Sequence, residues 1–111
     1  MTSKHAFTRR RGWWGTALLA AAALLTSGCL RVAFTVANRG QPPADATAAY
    51  ASGPRNGIDI YRPVGVAGAA PVVVFFYGGS WQTGARADYR FVGRRLAAQG
   101  MLVLVADYRT Y

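Results

Sequence analysis

Hydrophobic positions fall into three blocks with different periods. From Ala17 to Leu25 the chain is an unbroken run of alanine and leucine, with Trp13 and Trp14 just ahead of it. Counted from Trp13 the stretch is about 13 residues, roughly 20 Å as a helix against a hydrocarbon core of about 30 Å. That length suits the apolar core of an export signal better than a membrane span. Lys4, Arg9, Arg10 and Arg11 precede it, where an export signal carries positive charge. The second block, Leu30 to Val36, alternates apolar and other residues, but seven positions do not separate a strand from the start of a helix. Arg39 to Thr47, with Gly40, Pro42 and Pro43, reads as a tether.

The third block begins at Ala48. Two short strands, near Ala48–Ser52 and Gly57–Arg62, flank Pro54-Arg55-Asn56-Gly57. Asn-Gly supports positive φ at both central positions of a tight turn, which predicts an antiparallel hairpin. Ile58 and Ile60 share one face, Asp59 and Tyr61 the other. After the loop from Gly65 to Ala70, Val72 to Tyr77 is apolar on both faces, as expected where helices cover both sides of a parallel sheet. A loop rich in glycine, Gly78 to Gly84, follows. Asp88 is placed to cap a helix running to about Gln99, stopped by Gly100. Tyr89, Val92, Leu96 and Ala97 form its buried stripe, and Gly93 permits close approach to the sheet. Met101 to Ala106 is a second apolar strand. Strand, helix and strand within about 35 residues make one parallel β-α-β crossover, so the fold class is α/β.

Charge changes this picture little. The net charge of +9 could suit an anionic partner, but four of the 13 basic residues lie ahead of the apolar run. Without those four, 9 basic residues face 4 acids, leaving +5. The remaining arginines are scattered and no nucleic-acid motif surrounds them, so no nucleic-acid partner is expected.

The single cysteine changes it more. Leu25-Thr26-Ser27-Gly28-Cys29 resembles the bacterial lipobox, in which small residues precede a cysteine that is lipidated and becomes the mature N-terminus. Thr26 departs from the leucine usual three residues before the cysteine. Ordinary signal cleavage with Cys29 as a bystander is the alternative. Arg10-Arg11-Gly12-Trp13-Trp14 is also similar to a twin-arginine export signal. The organisation expected is a lipoprotein-type signal over residues 1–28, a lipid-anchored tether over 29–47 and an incomplete domain over 48–111. The protein would then be an exported lipoprotein of the bacterial cell envelope, bound to membrane lipid through Cys29.

Candidate chemistry lies in the loop after the first long strand. Open α/β sheets bind ligands at the carboxyl ends of their strands. Gly78 and Gly79 let backbone turn sharply and aim N–H groups at a bound oxygen, which stabilises negative charge during acyl transfer. The hairpin, Tyr61-Arg62-Pro63, the apolar strand, Tyr77-Gly78-Gly79-Ser80-Trp81, the helix and Asp107-Tyr108-Arg109 together resemble α/β-hydrolase esterases. The nearest look-alikes are the His-Gly-Gly-x-Trp group, which includes bacterial feruloyl and acetyl esterases and kynurenine formamidases. The resemblance covers roughly Ala48 to Tyr111. It implies the N-terminal portion of an α/β-hydrolase fold, with Gly79 and Ser80 donating backbone N–H groups to an oxyanion and Gly78 making the turn. Trp81 would wall the acyl pocket or pack beneath the loop, and Asp107 and Arg109 would brace it. Tyr77 stands where the group commonly has histidine. No cofactor and no metal enter this reading.

The same resemblance exposes gaps. A nucleophile in Gly-x-Ser-x-Gly, an acid and a histidine are required in that order. Ser52 has Tyr50 and Pro54 where the glycines belong, Ser80 has Gln82 at the second, and the one histidine, His5, lies in the signal. The expected function is the N-terminal part of a serine esterase acting on small-molecule carboxylic esters once completed. The alternatives are a membrane-tethered, non-catalytic binding module and a non-functional truncated product.

Overall fold

The computed structural model describes residues 12–110 of a chain that divides into two compact units, residues 1–33 and 34–111. Helix α1 (Gly12–Ala37) begins in the first unit, and its last turn, from Phe34, belongs to the second. Its 26 residues make a rod of about 39 Å at 1.5 Å per residue. The 13-residue stretch from Trp13 to Leu25, read as roughly 20 Å of helix, is only the first half of it. A lone Gly28 costs a helix about 1 kcal/mol without breaking it, and no proline interrupts residues 12–37. The ambiguous segment Leu30–Val36 is therefore helical. Trp14–Ala37, with mean hydropathy 1.8, is long and apolar enough to cross a membrane, a test that signal sequences near an N-terminus also pass. Cys29 is exposed on this helix. The basic segment from Lys4 to Arg11 lies outside the described residues.

The second unit is a mixed four-stranded sheet in the order β1-β2-β4-β3. β1 (Ala46–Ala49) and β2 (Gly57–Tyr61) pair antiparallel, with Ala48 opposite Ile58. β3 (Val72–Phe76) and β4 (Leu102–Ala106) pair parallel, and β4 also pairs antiparallel with β2. The α/β class and the hairpin followed by a parallel crossover are thus as the sequence indicated. The hairpin turn is not. Neither Asn56 nor Gly57 has positive φ, and residues 50–56 form a longer loop closed by the Tyr50 N–H donating to the Asn56 carbonyl at 2.9 Å. Gly57 is needed for space: a Cβ there would lie 2.6 Å from the Arg86 guanidinium, which crosses the strand.

The core lies on one face of the sheet. Tyr61, Val103 and Val105 are fully buried there, with Phe75 packed against them. Helix α2 (Arg90–Ala97) covers them, entered through a 3-10 turn over Arg86–Tyr89. Gly93 makes the approach possible, since a Cβ there would collide with the Tyr61 ring. Gly100, at φ +88°, ends the helix, with its N–H bonded to the Ala97 carbonyl. Asp88 does not cap it. The Asn38 side chain, 53 residues away, does: its Oδ1 accepts the Phe91 N–H at 3.0 Å and its Nδ2 donates to the Asp88 carbonyl at 2.8 Å.

Asn38 belongs to the stretch expected to be tether, and much of that stretch is docked. Arg94 donates to the carbonyls of Pro42 and Pro43 and pairs with Asp45 at 3.1 Å. The Arg62 N–H and the Arg94 guanidinium hold the Asp45 carboxyl below its usual range. Folded backbone therefore begins well before Ala48, because these contacts join residues some 50 positions apart and leave no local sequence trace.

Candidate oxyanion loop

The loop after β3 sits at the carboxyl end of a parallel strand, the position at which open α/β sheets place their sites. Its backbone is unusual. Gly79 has φ +150°, and Ser80 and Trp81 follow at +52° and +61°, among the described residues the two non-glycine positions with positive φ. Such conformations cost on the order of 1–3 kcal/mol each and persist where surrounding structure over-determines them. Positive φ at both central positions, with the Gln82 N–H donating to the Gly79 carbonyl at 3.0 Å, is the pattern of a type I′ turn. The Thr83 N–H donates to the same carbonyl at 3.0 Å.

The turn therefore falls at residues 79–82, not at Gly78. Gly78 has no positive φ, and a Cβ there would meet nothing within 4 Å. Gly79 is the obligatory glycine, since a Cβ would strike the Thr83 carbonyl oxygen. Among the described residues, the N–H groups of Gly78, Gly79, Ser80 and Trp81 donate to no protein acceptor. Ser80 is exposed. Trp81 is 65% exposed and rests edge-on against Tyr108, ring centroids 5.3 Å apart, rather than beneath the loop.

Below the loop lies a polar network. The buried Tyr77 hydroxyl donates to Asp107 Oδ1 at 2.5 Å and accepts from Arg55 Nη2 at 3.1 Å. Burial, then the bond to Asp107, pushes its phenol well above the ordinary value near 10. Asp107 Oδ2 receives Arg86 Nε at 2.7 Å, and Arg86 Nη1 reaches Asp59 at 2.5 Å. Arg55 also donates from Nη2 to the Gly84 carbonyl at 3.2 Å and from Nε to the Tyr108 carbonyl at 3.2 Å. The Tyr108 hydroxyl donates back to the Tyr77 carbonyl at 2.7 Å.

Asp107 thus braces the segment entering the loop, whereas Arg109 is exposed and enters no such contact. Arg55 and Arg86 take that part, and sequence reasoning missed both. Arg86 carried a faint signal, a basic residue just past a glycine-rich loop; Arg55, in a hairpin turn, carried none. A cleft of about 280 Å³ opens beside this network, lined by Arg55, Asp59, Arg86 and Asp107 together with Pro54 and Gly84. Ser52, in the hairpin loop, is exposed and stands apart from the bonds that hold Tyr77. No group of three or more His, Cys, Asp or Glu side chains that could hold a metal occurs among the described residues.

No family model matches the chain. Among curated proteins, an isoprenylcysteine alpha-carbonyl methylesterase of Arabidopsis thaliana is 38% identical over 101 residues, which is 88% of this chain and 23% of that protein. A probable isoprenylcysteine alpha-carbonyl methylesterase of Oryza sativa subsp. japonica is 44% identical over 62 residues, 56% of this chain and 15% of that one. Among solved structures, esterase 2 of Thermogutta terrifontis, phosphonylated by cyclosarin, is 32% identical with a TM-score of 0.53, covering 63% of this chain and 28% of its own. The same esterase with butyrate bound gives the same score and identity. The chain spans less than a quarter of the length of these curated relatives.

Proposed function

Because the chain carries the N-terminal portion of an α/β-hydrolase fold of the esterase type, we propose that residues 48–111 supply the oxyanion-hole segment of an exported carboxylic-ester hydrolase. The reaction runs through a serine acyl-enzyme, and the backbone N–H groups of Gly79 and Ser80 receive the negative charge that develops on the carbonyl oxygen. One observation carries the reading: a left-handed turn on two non-glycine residues, at the carboxyl end of β3, whose N–H groups have no acceptor among the described residues. Strain of this kind clusters at functional sites. Small carboxylic esters are the substrate class, a choice supported by the butyrate- and propionate-bound forms of the Thermogutta esterase. Nucleophile, acid and histidine come from sequence joined to this segment, so the chain alone turns over no ester above background.

A chimera tests this. The matched segment of Thermogutta terrifontis esterase 2 is replaced by residues 45–110 of this chain, and nitrophenyl ester hydrolysis is measured with circular dichroism as a check on folding. The chimera is expected to be active. Gly79→Pro, which removes one donor and also fits neither the φ of +150° nor the space beside Thr83, should lower kcat by at least about 100- to 1,000-fold, while Ser80→Ala, which keeps its N–H, should change it little. A folded but inactive chimera, or a dead Ser80→Ala beside an active Gly79→Pro, would overturn the proposal.

Cys29 is read as the lipid anchor that holds this domain on the cell-envelope membrane. Each buried CH₂ contributes about 0.8 kcal/mol, and stable anchoring takes more than one chain. Mass spectrometry of the mature N-terminus checks this, with lipid-modified Cys29 the expected end. An intact residue-1 terminus would instead mark α1 as a retained membrane helix.

A further inference from the structure

Arg55 enters no ion pair among the described residues, although it is half-buried and lines one cleft with Arg86, which bonds both Asp59 and Asp107. Its hydrogen bonds go instead to one place. A single nitrogen, Nη2, reaches the Tyr77 hydroxyl at 3.1 Å and the Gly84 carbonyl at 3.2 Å, the residues that immediately precede and close the loop 78–83. Nε reaches the carbonyl of Tyr108, whose own hydroxyl holds the Tyr77 carbonyl and whose ring supports Trp81. Apart from the Tyr89 hydroxyl, which donates to the Gly78 carbonyl at 3.5 Å, the side-chain hydrogen bonds that hold the two ends of the loop pass through this guanidinium or through a group it touches.

The polarity of the network is set as well. A guanidinium only donates and a carboxylate only accepts. The Tyr77 hydroxyl between them must accept from Arg55 and give its proton to Asp107. The two ends of the loop are already close, since a Cβ on Gly84 would lie 2.8 Å from the Tyr77 ring and 2.9 Å from the Gly78 carbonyl oxygen. Nη2 spans that gap while Nε holds the Tyr108 carbonyl, and a point charge on one nitrogen does not reproduce this planar arrangement of donors.

From these contacts we infer that Arg55 is a positioning residue for the oxyanion loop: it clamps Tyr77 to Gly84 and so holds the strained turn at Gly79–Trp81 that aims the backbone donors. The functional meaning of the clamp rests on reading the loop as an oxyanion site. The clamp itself is measured without any reaction, so failure of one is distinguishable from failure of the other.

The experiment uses the full chain, isotopically labelled in detergent micelles, and follows backbone amide hydrogen exchange. Gln82 and Thr83, which donate to the Gly79 carbonyl, report the loop; Val103 and Val105 report the sheet. In Arg55→Gln the loop amides should exchange about tenfold faster or more, with the sheet amides unchanged, as expected for local opening. Arg55→Lys should remain loosened, because it restores the charge but not the fork. Tyr77→Phe, which keeps the Gly84 arm, should give a smaller rise confined to the loop and covers the case in which Arg55→Gln misfolds. Arg109→Gln should match the parent. Unchanged loop exchange, equal acceleration in β4, or full recovery in the lysine variant would each overturn the clamp.

Discussion

β3 sends Val73 and Phe75 to one face of the sheet and Val72, Val74 and Phe76 to the other. The residues are of one kind, but their surroundings are not. On the first face α2 lies across Tyr61, Val103 and Val105, which are fully buried, and Tyr77 continues that layer under the loop. On the second face Val72, Val74 and Phe76 are 59%, 50% and 63% exposed. A strand apolar on both sides is the mark of a sheet covered on both, and the described residues provide one covering layer. The covered face supports the loop because its aromatic side chains, Tyr77, Tyr89 and Tyr108, stand beneath it. Tyr89 stacks on Tyr77 with centroids 5.5 Å apart, and Phe34 from the last turn of α1 meets Tyr89 edge-on at 5.0 Å.

The two faces should therefore respond differently to the same kind of change. The largest effect belongs to Tyr61→Ala, which empties a fully buried aromatic site against Gly93 and should cost about 3–5 kcal/mol in denaturant unfolding of the full chain. A value near zero would mean that α2 does not close this face. Alkaline titration should give the next largest difference. Burial raises the phenol values of Tyr77, Tyr61 and Tyr89 above their ordinary 10.0. The folded state then keeps protons that the unfolded chain has lost, so stability is complete below about pH 10 and falls as pH rises past it. In Tyr77→Phe the loss of melting temperature between about pH 8 and about pH 11 should be smaller than in the parent. Equal losses would show that Tyr77 does not titrate as a covered group. The smallest effect is expected on the open face, where Val74→Ala should stay within about 0.5 kcal/mol. Tyr61→Phe sharpens the comparison from the other side. Its hydroxyl is buried without a partner among the described residues, so removing it should be neutral or slightly stabilising, in contrast to Tyr61→Ala.

Much of the site was legible in residues 71–107, where period, glycine placement and strand composition agree. The positions of β3, the loop, α2 and β4 followed from the double-faced apolar runs, and the stop at Gly100 from the need for positive φ. Gly78 and Gly79 were not distinguishable by type, and the structure separates them by what a Cβ would strike. The left-handed backbone of Ser80 and Trp81 was illegible, because neither residue favours it and only the packed loop imposes it. The Asn-Gly pair misled for the opposite reason: its local preference for a tight turn gave way to a longer loop that carries Arg55 to Tyr77.

By itself the sequence determined the α/β class, the order of hairpin and crossover, the close approach at Gly93 and the glycine-rich loop after β3. All of these follow from local spacing and from the steric needs of single residues. Only the tertiary structure decided that α1 runs unbroken to Ala37, that Asn38 caps α2, that residues 42–45 are docked through Arg94, and that Arg55 and Arg86 hold Tyr77 and Asp107 under the turn. Each of these depends on hydrogen bonds or packing between residues distant along the chain, and such contacts exist only once the sheet and helix have brought them together.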